Sequence, residues 1–223
     1  MSALVWWAIT AFLFILFAGL IGRHASYVGP DGAEKKGLWI GILVDERLRF
    51  SLTKLQMVSW TLVFLSLLSA VFLARLLDGD PSDALQITVP QEILILVGIS
   101  ASSAVLTTAV KSPRTDAIRN QATQLMSASP QASASSVIMG MPSHFSQVFL
   151  VEQGEAMDKV VDVTKFQNFF LTVIAVGAYV VMAASQLAGT TSPAGLPGFS
   201  QDLLWFIGIS HAAYVGGKIP VTQ

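Results

Sequence analysis

Among the side chains that could do chemistry here, His211 stands out as the ionisable residue set well inside an apolar run. With Tyr214 and Lys218 it recurs at steps of three and four, which places the three on one helix face. An imidazole at that depth has two uses: it bonds to a facing helix, through Gln56, Gln167 or a hydroxyl, or it faces water and serves function. Ser100, Ser103 and Thr107 form a second polar stripe ending near Lys111. Hydroxyls in such a stripe bond to a neighbouring helix or to their own backbone, or they line a pore. Gln56 and Gln167 start two long apolar segments and are expected to bond between helices. Arg75 lies near the other end of its segment, where it can snorkel outward or pair with Asp78.

Other chemistry is disfavoured. The chain contains no cysteine, which removes disulfides, thiolate metal ligands and thiol catalysis. His24 and His144 fall in loops with no ligand-spaced carboxylates, so no metal and no cofactor is expected. No nucleophile is accompanied by a base and an orienting carboxylate, and there is no phosphate-cradling glycine loop or basic stripe for nucleic acid. We expect neither an enzyme nor a nucleic-acid binder.

The elements that must position these residues are membrane spans. The 223 residues are 53% hydrophobic and only 12% charged. Crossing a hydrocarbon core of about 30 Å takes roughly 20 apolar residues. Runs at 3–22, 55–77, 91–110, 166–187 and a shorter one at 202–217 fit that demand. The first is expected to be a retained anchor rather than a cleaved signal, because Arg23 follows the apolar run and no basic segment precedes it.

The chain also states its plan twice. SLTKLQ at residues 51–56 leads into an apolar helix, a turn, and QEILILVGIS at 91–100; DVTKFQ at 162–167 leads through the same order to QDLLWFIGIS at 201–210. The two copies lie 110 to 111 residues apart. Ser51 and Asp162 occupy equivalent N-cap positions. Residues 37–44 are too short to span and are expected to be a strand or an interfacial segment, followed by a return strand into Ser51. Leu150-Val151-Glu152 echoes Leu43-Val44-Asp45 ahead of the second copy. Small residues recur as Gly208, Ala212 and Gly216 in the last span and as Gly98 and Ser102 in its counterpart, rows that let helices pack closely in lipid.

Charge orients the spans. Of thirteen basic residues, Arg75 alone falls on one side of a five-span layout, and that side carries Asp78, Asp80, Asp83, Glu92 and Asp202. The positive-inside rule then places the N-terminus outside and the C-terminus in the cytoplasm. Because two spans separate each helix from its counterpart, the copies share one orientation and are parallel repeats.

The paired S/D-x-x-K-x-Q helix starts at Ser51–Gln56 and Asp162–Gln167, with Gly-Ile-Ser at Gly98 and GISHAAYVGGK from Gly208 to Lys218, resemble those of a widespread group of uncharacterised bacterial membrane proteins. The resemblance covers most of the chain after the first span. It implies a bacterial inner membrane and a double-hairpin layout, and it supplies no catalytic residues.

The expectation is therefore an all-α transmembrane protein. It comprises an anchor (1–22), a cytoplasmic linker with a short hairpin (23–50), a first transmembrane hairpin (51–112), a cytoplasmic segment (113–161) and a second transmembrane hairpin (162–223). Four repeated helices cannot enclose a wide path, so a homo-oligomer in the lipid bilayer is expected. The leading function is a channel whose conduit is lined by Ser100, Ser103, Thr107, His211 and Tyr214; the alternative is a non-conducting scaffold that docks a cytoplasmic protein partner.

Overall fold

A computed structural model of the chain describes residues 1–28, 34–45, 50–78, 81–99, 102, 145–151 and 159–216. The protein is mostly helical. Helix α1 (Ala3–Gly22) is followed by a hairpin of β1 (Ser26–Val28) and β2 (Glu34–Lys36), the short α2 (Leu38–Gly41) and the long α3 (Leu52–Asp78). Residues 91–99 form α4, and α5 (Val163–Ala188) and α6 (Gln201–Gly216) complete the set.

Among the described residues three helices, α1, α3 and α5, are long and apolar enough to cross a membrane. Five spans were expected. Helix α6 is described over 16 residues, about 24 Å at the helical rise, and the residues that follow Gly216 lie outside the described set. The fourth expected span, 91–110, is described only over 91–99 and at Ser102.

The buried positions explain how the long helices meet. On α3 they include Trp60, Phe64, Leu67, Val71 and Ala74, alternating in steps of four and three. On α5 they are Lys165, Asn168, Thr172, Ala175, Tyr179, Ala183 and Leu187, again in threes and fours. That spacing keeps one seam facing a neighbour at a shallow crossing angle. Helix α1 instead is apolar all round and buries only Ala3, Trp7, Thr10, Gly19 and Gly22, leaving large side chains such as Phe12 and Phe17 exposed. Such a helix suits a lipid surface.

Hydrogen bonds set the directions. Ala3 N–H donates to the Thr190 carbonyl, so α1 begins where α5 ends. Arg75, late in α3, reaches Pro193 and Ala194 just beyond α5, so α3 and α5 run parallel and α1 runs against them. The loops after α3 and α5 are joined by a parallel bridge, Thr88 to Gly195, in which Thr88 N–H donates to the Ala194 carbonyl and Leu196 N–H to the Thr88 carbonyl. A side chain at Gly195 would run into the Thr88 carbonyl, so the bridge depends on glycine there.

At the opposite end the segments ahead of α3 and α5 have matching local geometry. Val44 pairs with Phe50 and Leu150 with Val161, each as an isolated antiparallel bridge. Ser51 N–H donates to the Leu43 carbonyl, and Asp162 N–H to the Phe149 carbonyl. The equivalence therefore pairs Val44 with Leu150, one residue earlier than the sequence echo suggested. The hydrogen-bond ladder, rather than the Leu-Val dipeptide, sets the register. Residues 23–36, expected as a linker, contain the β1–β2 hairpin, with Tyr27 opposite Lys35. Of residues 37–44, four form α2 and Val44 forms the bridge, combining a helical turn with the expected strand.

Candidate functional site: a buried polar junction

Three helices contribute buried polar side chains. Gln56 is in the second turn of α3, Asn168 and Thr172 lie one turn apart on α5, and Ser210 and His211 are late in α6. The amide of Gln56 donates to Thr172 Oγ1 at 2.7 Å and to the Asn168 carbonyl at 3.4 Å. Thr172 Oγ1 donates in turn to the Asn168 carbonyl at 2.8 Å, and Ser210 Oγ donates to Asn168 Oδ1 at 3.1 Å. All five residues are buried. Gln56 Oε1, Asn168 Nδ2 and both ring nitrogens of His211 have no hydrogen-bond partner.

This junction rests on two lysine anchors. Lys54 Nζ donates to the Val44 carbonyl at 2.7 Å, and Lys165 Nζ to the Leu150 carbonyl at 2.8 Å. Each ammonium thus ties its helix to the bridge that precedes it, Lys54 as an exposed residue and Lys165 as a buried one, for which an acceptor carbonyl suits a cation in a low-dielectric surrounding. The helix starts differ in strength. Asp162 accepts from Thr164 N–H at 3.0 Å and Lys165 N–H at 3.2 Å, whereas Ser51 Oγ meets Lys54 N–H only at 3.5 Å.

Beyond the junction the interior turns aromatic. Trp60 stacks on Phe64 at 5.1 Å and Tyr179 on Phe199 at 5.2 Å, and the two pairs meet edge to face. The Tyr179 hydroxyl donates to the Pro197 carbonyl at 3.3 Å. At the far end Arg75 gathers both loops: Nε donates to Pro193, Nη1 to Asp83 and Gln86, and Nη2 to Ala194, all backbone carbonyls within 3.0 Å. Sequence spacing suggested Asp78 or solvent as its partner. Only the fold brings two loops separated by more than a hundred residues around one guanidinium.

The sequence-derived sites divide as follows. Gln56 is buried against α5, but Gln167 is exposed. Asn168 fills the inward position instead, because the α5 seam runs Lys165, Asn168, Thr172 and leaves Gln167 a hundred degrees away. Sequence alignment of the repeat concealed this, since Asn168 matches Met57 there. His211 is on the buried face of α6 beside Ser210. Ser102 is exposed and its hydroxyl bonds back to the Ile99 carbonyl at 3.0 Å. Gly208 faces Ile99, while Gly98 and Gly216 face open space and Ala212 is exposed on a groove between α4 and α6. Ser100, Ser103 and Thr107, and the side chain of Tyr214, lie outside the described residues. No protein-family model, curated protein or solved structure matches the chain.

Proposed function

We propose that the chain is a multi-span protein of a bacterial inner membrane acting as a non-conducting scaffold. In this proposal it has five crossings in two parallel-repeat hairpins, and its cytoplasmic side docks a soluble partner. The observation that carries the proposal is the packing of the described interior. Among the described residues Trp60, Phe64, Tyr179 and Phe199 fill the space between α3, α5 and the following loop, with ring centroids 5.1 to 6.3 Å apart, an aromatic packing rather than an ion-coordinating lining. The acidic loops and the basic helix starts support an N-terminus outside and a C-terminus in the cytoplasm.

A second proposal, a homo-oligomeric channel, draws on the groove between α4 and α6. Gly208 and Ala212 line it with Ile95, Ile99 and Trp205. A conduit would then lie between protomers, with Ser100, Ser103 and Thr107 facing it. Flux of potassium, sodium and chloride from liposomes separates the two. The scaffold proposal expects leakage equal to that of protein-free vesicles, and protein-dependent, saturable flux would replace it with the channel.

A further inference from the structure

We propose that the short turns ahead of α3 and α5 are a matched pair of membrane-interface anchors, seated in the headgroup layer of the leaflet at which both helices begin. The inference rests on α3 and α5 crossing the bilayer and holds for scaffold and channel alike. In the structure the repeat reaches further upstream than the sequence motifs do. The first copy has α2 there, and the second a 3-10 turn at Phe145–Val148. The same backbone bonds follow each turn. Leu43 N–H donates to the Ile40 carbonyl and Val44 N–H to that of Gly41, while Phe149 N–H donates to Ser146 and Leu150 N–H to Gln147. The register that equates Val44 with Leu150 therefore equates Trp39 with Phe145. Each copy presents a large aromatic side chain at that position, 48% and 50% exposed. Sequence comparison hides the match, because Trp39-Ile40-Gly41 and Phe145-Ser146-Gln147 share no residue.

Position identifies the occupant. Helices α3 and α5 run parallel, so both turns lie at one end of the bundle. The Trp39 ring packs against Gly19, about 5 Å inside the end of α1 at the helical rise, where Leu20 and Ile21 are exposed. The Phe145 ring meets Phe169, about 9 Å into α5, with centroids 6.5 Å apart. Phe169 meets Phe170 at 5.4 Å, and Phe170 is exposed on the face that continues through Val173 and Ile174. Both aromatic turns thus continue the apolar surface that the long helices turn to lipid. A soluble partner seated there would have to displace lipid from that surface, whereas half-exposed rings at this level suit the boundary between headgroups and acyl chains. Lys54 and Lys165 bond the bridge carbonyls behind the turns, which holds each turn at one depth.

Nitroxides on single cysteines, introduced into the cysteine-free full-length protein in lipid vesicles, test this by power saturation with oxygen and with a water-soluble nickel chelate. Labels go on Ile40→Cys and Phe145→Cys, with Ile174→Cys on the exposed face of α5 as the deep control and Leu85→Cys in the loop after α3 as the aqueous one. Because Phe145→Cys removes ring contacts, Ser146→Cys, exposed beside it, repeats the measurement. The turns are expected to report equal depths, about 5–10 Å into the headgroup and acyl boundary and between the two controls. Nickel contact at the turns as free as at Leu85→Cys overturns the proposal. So does poor contact with both reagents, which means that protein rather than lipid covers them. Free nickel contact at Ile174→Cys as well would overturn the crossing itself and the anchors with it, an outcome distinct from failure of the anchors alone.

Discussion

Arg75 shows how far a residue's role can depart from its sequence neighbourhood. Its five N–H donors meet four carbonyls from two loops, a fork that an ammonium cannot reproduce. Arg75→Lys keeps the charge but leaves carbonyls without donors. It is expected to lower unfolding stability in detergent by about 1–3 kcal/mol, as charge-assisted hydrogen bonds to backbone are lost. Thermal or denaturant unfolding checks this, and equal stability of Arg75→Lys and wild type would mean that the loops hold themselves. His211 and Gln56 were identifiable beforehand because polar side chains in apolar runs are conspicuous. Asn168 was not, because a short polar residue near a helix start has an ordinary capping explanation, and Ser210 was not, because a serine hydroxyl within a helix can bond back to its own backbone.

At the scale of elements, the two helix starts offer a controlled comparison. Asp162 accepts two backbone N–H groups at 3.0 and 3.2 Å, and Ser51 makes one contact at 3.5 Å. Asp162→Ala is expected to cost about 1 kcal/mol and Ser51→Ala clearly less, by the same unfolding measurement. An equal loss would show that the serine cap is worth as much as the aspartate cap despite its longer contact. The bridge between loops makes a stronger demand. Any Cβ at Gly195 collides with the Thr88 carbonyl, a backbone atom that cannot swing aside. Gly195→Ala should therefore destabilise by about 1–3 kcal/mol, the usual cost of forcing extra volume into a packed contact. Thr88→Ala keeps the backbone bridge and should be much milder. The capped starts and the helix cores could be found from periodicity and residue type. The β1–β2 hairpin could not, because Gly- and charge-rich segments of that length read equally well as linker.

For the whole molecule, sidedness is open to direct measurement because the native chain has no cysteine. Single cysteines at Leu85, 82% exposed in the loop after α3, and at Lys159, exposed ahead of α5, should label from opposite faces of intact cells and inverted vesicles. Leu85→Cys is expected to react from outside and Lys159→Cys only from the cytoplasmic face. Labelling of both from one side would refute parallel α3 and α5 crossings. Sequence by itself marked the runs that become α1, α3 and α5, the three described helices long and apolar enough to cross a membrane, because mean apolarity and the absence of charge over some twenty residues are local properties. It also located the two matching helix starts, since a shared T-K-x-Q pattern after a capping residue needs no partner to be recognised. Tertiary structure alone decided which side chains meet: that Asn168 rather than Gln167 faces Gln56, that one guanidinium holds two distant loops, and that stacked rings pack between α3 and α5. The physical reason is rotational. Each helix is apolar over most of its circumference, so its sequence carries little information about which face turns inward, and that choice is made by packing between elements more than a hundred residues apart.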